Sequence, residues 1–206
     1  MKVERIDIET IPALVWGDAS DKLLLCVHGK MGSKECADGI ARIAREKGYQ
    51  TISFDLPQHG ERKDEEERCD IWNGIRDLTT VGNYAFAHWK EISLYACSLG
   101  AYFSLHAYSM RGFKQCLFQS PILDMEYLIG QMMQWFDVSE ERLEREGEVD
   151  TPIDVLSWKY YRYVKEHPVY NWSIPTHILY AGKDNLQSME MVKDFAERFS
   201  CTLTVS

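Results

Sequence analysis

Leu94-Tyr95-Ala96-Cys97-Ser98-Leu99-Gly100-Ala101 lies between Glu91-Ile92-Ser93 and Tyr102-Phe103-Ser104-Leu105-His106. An apolar, strand-like run turns at a single serine into an apolar, helix-like run. Ala96 and Gly100, two places either side of Ser98, are small enough for strand and helix to approach closely and form a sharp elbow. The stretch follows the pattern G-x-S-x-G, with Ala96 in the place of the first glycine. Read alone, it also fits a serine that merely caps a helix. The elements around it bear on the choice.

Upstream, Ile6 and Ile8 alternate with charged residues and Pro12-Ala13-Leu14-Val15-Trp16 precedes Gly17-Asp18, which predicts an opening antiparallel hairpin. Leu23-Leu24-Leu25-Cys26-Val27 is a continuous apolar run, as expected of a strand covered on both faces. Cys36, Ile40, Ile43 and Ala44 share a helical face that ends at Gly48. Thr51–Phe54 predicts a strand, and the segment from Ile71 to Trp89 a helix. After the elbow come a helix from Ser98 to about Met110 and a strand at Gln115–Gln119. His177–Tyr180 predicts another strand, the face Met189, Val192, Phe195, Phe199 a helix, and Cys201–Val205 a last strand. Strands alternating with helices imply a mostly parallel sheet with helices on both faces.

The stretch 124–172 differs in character. It is dense in Met, Trp and Tyr, including Met132, Trp135, Trp158 and Tyr160, and carries the charged helical run Ser139–Glu146. Between two sheet strands it reads as a helical cap insertion on a core formed by residues 1–123 and 173–206. Most of its aromatic residues should pack the insertion onto the core, leaving a minority to line an apolar pocket.

At 206 residues the chain is long enough to bury a sizeable core. Its net charge of −9 argues against a nucleic-acid surface. No apolar run approaches the roughly 20 residues of a membrane span, and the first residues hold no apolar signal core, so a cytoplasmic protein is expected. The six cysteines show no C-x-x-C pair and no metal-ligand spacing with histidine, so they read as free thiols rather than a disulfide or zinc framework. The acidic run Asp64–Glu67 reads as a solvated loop.

Three motifs in order give the chain a resemblance to the α/β-hydrolases, in particular to small bacterial esterases and serine-peptidase-like proteins with a helical cap. Val27-His28-Gly29-Lys30-Met31-Gly32-Ser33 resembles the oxyanion loop H-G-x-x-G. Phe54-Asp55-Leu56-Pro57-Gln58-His59-Gly60 resembles D-x-P-G-H-G, and the elbow at Ser98 follows. The resemblance spans nearly the whole chain and implies the α/β-hydrolase fold. It also implies that Ser98 is a nucleophile and that the backbone amides of Lys30 and Leu99 form the oxyanion hole. Such a serine needs an adjacent base, and fixed N–H groups stabilise the charge that develops on the substrate. His28 and Gly29 then shape the loop, with His28 structural rather than the base.

The resemblance assigns the triad acid to Asp184 in Leu179-Tyr180-Ala181-Gly182-Lys183-Asp184-Asn185, although its local chemistry fits a solvated turn equally well. Asp124 is the second choice, and Asp55 reads as structural. The family's histidine follows its last strand, and none of His28, His59, His88, His106, His167 or His177 occupies that place. The expectation is therefore a truncated hydrolase, nearly inactive as it stands, whose base and closing helix lie beyond Ser206. Its last strand would be an exposed edge able to drive homodimerisation. No cofactor or metal is implied. The implied reaction is cleavage of a carboxylic ester, thioester or small amide of a small-molecule acyl substrate. A peptidase of short peptides stays open, the serine disfavours an aspartate-nucleophile dehalogenase, and the competing class is a pseudo-hydrolase that binds acyl ligands without reacting.

Overall fold

The computed structural model describes residues 1–206. In chain order the strands are β1 (Val3–Ile8), β2 (Ile11–Trp16), β3 (Lys22–Val27), β4 (Gln50–Phe54), β5 (Glu91–Cys97), β6 (Cys116–Gln119), β7 (Glu148–Asp150), β8 (Val155–Ser157), β9 (Thr176–Tyr180) and β10 (Thr202–Val205). The helices are α1 (Asp38–Glu46), α2 (Ile71–His88), α3 (Leu99–Ala107), α4 (Met125–Trp135), α5 (Glu140–Glu146), α6 (Trp158–Glu166) and α7 (Met189–Arg198). Eight strands form one sheet in the order β1-β2-β4-β3-β5-β6-β9-β10. The first hairpin is antiparallel and β2 runs against β4, while every pairing from β4 to β10 is parallel.

The register positions the site. Val27 pairs with Ala96, Cys97 with Gln119, and Gln119 with Leu179, so β3, β5, β6 and β9 all end level. The loops that follow them emerge along one edge, the carboxyl edge of a parallel sheet, where crevices for ligands form. Strain collects there too. Met31, Gln58, Ser98 and Ser120 follow four different strands, and all have positive φ, at 63°, 60°, 49° and 40°. A residue with a side chain in that region costs on the order of 1–3 kcal/mol and persists only where its surroundings enforce it.

A large apolar cluster packs on one sheet face, drawing on α2, α3, α7 and the insertion. On the other face a small cluster of Trp16, Cys26, Ala37 and Ala41 lies under α1. Beside α1 that face is open: Leu24, Ile40, Ile43, Tyr95, Leu117 and His177 line an apolar groove of about 330 Å³.

The elbow depends on one close approach. A Cβ on Gly100 would fall 2.4 Å from the His28 carbonyl oxygen and 2.8 Å from that of Val27. Both are backbone atoms that cannot turn aside. Gly100→Ala should therefore lower stability by about 2–3 kcal/mol, read as a lower midpoint in urea unfolding. An unchanged midpoint would contradict this packing.

The insertion between β6 and β9 is not wholly helical, as the sequence suggested, but includes the antiparallel hairpin β7–β8. Gly147, at φ 76°, ends α5, and the Thr151 hydroxyl accepts N–H bonds from Ile153 and Asp154 to close the turn. Val149 and Leu156 are its buried residues. Three-residue strands are too short to show an alternating pattern, which is why the sequence did not reveal them.

Candidate active site

Ser98 stands where β5 turns into α3, at φ 49° and ψ −118°. Its N–H donates to Gln119 O (3.1 Å), and its carbonyl accepts from Ala101 (3.0 Å) and Ile122 (3.1 Å). The bonds with Gln119 and Ile122 tie the strained residue to the β6 side of the sheet. Opposite it, a Cβ on Gly29 would lie 2.9 Å from Ser98 Cβ, so the loop after β3 presses directly on the serine.

That loop is held by its histidine. The buried His28 ring donates from Nδ1 to Gly29 O (2.8 Å) and accepts the Leu56 N–H at Nε2 (3.1 Å). His59 is committed in the same manner, with Nδ1 to Pro57 O (2.8 Å) and Nε2 accepting from Met31 N–H (3.1 Å). The backbone N–H of Lys30 makes no bond within the chain, and Leu99 heads α3, where first-turn N–H groups lack helical acceptors. The Lys30 ammonium reaches across to the insertion, pairing with the Asp154 carboxylate and donating to Ile153 O (3.3 Å).

Asp184 lies in the turn after β9. Its N–H donates to Ala181 O (2.8 Å), and its Oδ1 accepts from Leu186 N–H (2.8 Å). Asp124, by contrast, caps α4 by accepting from Tyr127 N–H. Asp55 is fully buried, accepting from the Lys34 N–H (2.8 Å) and ammonium (2.7 Å) and from Glu61 N–H (3.0 Å).

Two residues here escaped sequence reasoning. Lys34 is buried against Asp55 and welds the loop after β3 to the loop after β4. The buried Gln187 pins the Asp184 loop. Its Oε1 accepts from Leu123 and Asp124 N–H (2.9 Å each), and its Nε2 donates to Asp124 O (3.0 Å). A lone Lys and a lone Gln in polar stretches carry no pattern that marks them.

None of the six histidines is hydrogen-bonded to Ser98 or Asp184. His88 and His167 bond carbonyls one turn back in their own helices. His177 bonds Thr202 Oγ1 at the opposite edge of the sheet. His106 lies eight residues into α3 from Ser98, roughly 12 Å along a helix, with a buried Nε2 that has no partner. Nor are the nearby thiols poised to react. Burial raises the pKa of Cys97 and pushes that of Cys69 up to about 12, leaving both protonated at neutral pH.

Burial lowers both His28 and His106 from the ordinary 6.5 to about 4; for His28 the bond to Gly29 O partly opposes the shift. A lowered folded value means stability that is complete above pH 6.5 and lost as pH falls through about 4. For His28 the loss amounts to about 3 kcal/mol. Melting temperature should fall steeply between pH 6.5 and 4, and His106→Phe should flatten the slope. An equally steep slope in that variant would contradict the burial of the His106 ring nitrogen.

No cluster of three or more His, Cys, Asp or Glu side chains is arranged to hold a metal ion. No helix is long and apolar enough to cross a membrane.

No protein-family model matches the sequence, and no curated protein matches it. Solved structures do. Est1E from Butyrivibrio proteoclasticus, with ferulic acid bound, matches with a TM-score of 0.77 at 19% identity, over 98% of this chain and 88% of its own. The Pyrococcus furiosus esterase Pf2001 matches at 0.71 and 18% identity, over 100% of this chain and 80% of its own. Mouse alpha/beta hydrolase domain-containing protein 10 matches at 0.69 and 15% identity, over 100% and 88%. Together with the strand order and the elbow after β5, these matches establish that the chain has the α/β-hydrolase fold.

Proposed function

We propose that the chain carries a serine-hydrolase site for carboxylic esters, thioesters or small amides. Ser98 is its nucleophile, the Lys30 and Leu99 amides its oxyanion donors, and Asp184 its acid. Residues 124–172 cap the pocket over the core. The observation that carries the reading is the strained Ser98, held at φ 49° between strand and helix with the Gly29 loop against its Cβ. A merely capping serine has an extended backbone and bonds an N–H of its helix; Ser98 does neither. Esterases among the structural neighbours add support.

The reaction begins with attack of Ser98 Oγ on the substrate carbonyl. Electron density moves onto the carbonyl oxygen, which the two amides receive. Collapse of the tetrahedral intermediate expels the alcohol or amine and leaves an acyl-serine, which water then hydrolyses. Both proton transfers need a base, and these 206 residues place none beside Ser98. Turnover of a panel of short esters, thioesters and amides, with Ser98→Ala as the blank, tests the reading. A rate above that blank supports it; equal rates for both proteins count against it.

A second reading draws on the histidines. Both rings nearest the site have each nitrogen bonded to backbone. That commitment favours a protein that keeps the pocket and binds acyl ligands without turning them over.

A further inference from the structure

A cavity of about 190 Å³ lies between α3, the start of α4, the end of α6 and α7. It shares only Met125 with the cavity that includes Ser98. Its lining is mixed. Leu123, Val164, Val169, Met191 and Phe195 contribute apolar surface, and the polar side chains are Tyr102, Asp124, Glu126, Asp194 and Arg198.

Tyr102 is the first pointer to a ligand. The residue is 2% exposed, and its ring packs edge-on against His106 with centroids 4.7 Å apart. A buried tyrosine hydroxyl ordinarily finds a hydrogen-bond partner. The other buried tyrosines do: Tyr108 donates to Leu78 O, Tyr161 to the Glu140 carboxylate and Tyr180 to Gln187 O. The Tyr102 hydroxyl alone among them has no partner in the chain, and Tyr102 lines the cavity. Burial raises its pKa, with Tyr163 and Asp124 adding to the shift, so it meets a ligand as a neutral hydroxyl.

The charges decide the kind of ligand. Asp124 uses one oxygen to cap α4. The ion pairs of the neighbouring helices join Arg142 to Glu146, Arg162 to Glu166 and Lys165 to Glu140, which leaves Asp124, Glu126 and Asp194 without a basic partner. Arg198 lies over the Phe199 ring, 4.9 Å from its centroid. Three carboxylates therefore surround the cavity against one guanidinium, a field that draws cations and repels anions. The apolar surface calls for an apolar body on that cation. An apolar cavity of about 150 Å³ takes up benzene, so this one has room for a ring and a short chain.

We propose that this cavity is a second binding site, separate from Ser98, for a primary ammonium carried on a compact apolar group. The ammonium, with its three donors, lies at Asp124 and the Tyr102 hydroxyl oxygen, and Glu126 and Asp194 add their charge. The apolar group packs against Val169, Met191 and Phe195.

Met191 lines this cavity and Met132 the one at Ser98, so the two are separable by NMR. The unmodified chain, labelled with ¹³C at its methionine methyl groups, is titrated with 2-phenylethylamine, with its neutral analogue 2-phenylethanol and with the anion phenylacetate. The amine should shift Met191 saturably in the low millimolar range and leave Met132 still. The alcohol should bind about tenfold more weakly, and phenylacetate should leave Met191 unmoved. Tyr102→Phe should weaken the amine about fivefold without lowering the urea midpoint, because the hydroxyl it removes has no partner to lose. Glu126→Gln combined with Asp194→Asn, both at exposed positions, should also weaken it about fivefold. An alcohol that binds as tightly as the amine, an amine that moves Met132 and not Met191, or a Tyr102→Phe chain that binds it as tightly as the unmodified one would each overturn the proposal. None of these readouts depends on turnover at Ser98.

Discussion

Imidazole should accelerate ester hydrolysis by this chain, and Ser98→Ala should abolish the gain. Serine is a weak nucleophile near neutral pH and reacts only as a base removes its proton. Removing a triad member in other serine hydrolases costs on the order of 10⁴–10⁶ in turnover, and the residual rate comes from the oxyanion hole and binding. The sharp turn at Ser98 is in place here, the Lys30 N–H makes no bond within the chain, and no ring nitrogen is offered to Ser98. On the proposed mechanism, a small diffusible base supplies a proton acceptor without supplying anything else. The check is the hydrolysis rate of p-nitrophenyl acetate against imidazole concentration, with the Ser98→Ala protein subtracting imidazole's own reaction. The unaided chain should run on the order of 10⁴-fold or more below a complete triad. A curve that coincides with the blank would mean that Ser98 is not addressed.

Asp55→Ala should cost about 3–5 kcal/mol of stability, the expected result of removing one partner from a buried ion pair. Lys34 and Asp55 are 1% and 0% exposed. Burial lowers the Lys34 pKa, but hydrogen bonds to Asp55, Glu61 and Glu35 outweigh it and hold it above the ordinary lysine range. Without Asp55 the ammonium keeps only Glu61 and Glu35, whose side chains are largely exposed. The Lys34 and Glu61 amides also lose their acceptor. The loss should be partly recovered in the double variant Asp55→Ala, Lys34→Met, because an apolar pair leaves no charge stranded. Urea unfolding of both variants measures this. A cost below about 1 kcal/mol for Asp55→Ala would mean the weld between the two loops is dispensable.

The sheet was legible because its strands announce themselves locally. Leu23–Val27 and Leu94–Ala96 are apolar throughout, and the predicted helix at Ile71–Trp89 agrees with α2 to within one residue. The elbow was legible because Ala96 and Gly100 flank one serine at fixed spacing. What escaped depends on residues far apart in the chain. The Lys30–Asp154 bridge joins residues 124 positions apart, and Gln187 bonds the backbone at Leu123 and Asp124. Neither leaves a periodic trace, since each is a single polar side chain that finds its partner only after folding. The strain at Gln58 and Ser120 was likewise silent, because neither residue type prefers positive φ.

The most direct test of Ser98 as nucleophile is a fluorophosphonate reaction read by intact mass and peptide mapping, with and without imidazole. One adduct should form, on the peptide holding Ser98, faster with imidazole and absent from Ser98→Ala. An adduct that survives Ser98→Ala, or none even with imidazole, would contradict the account.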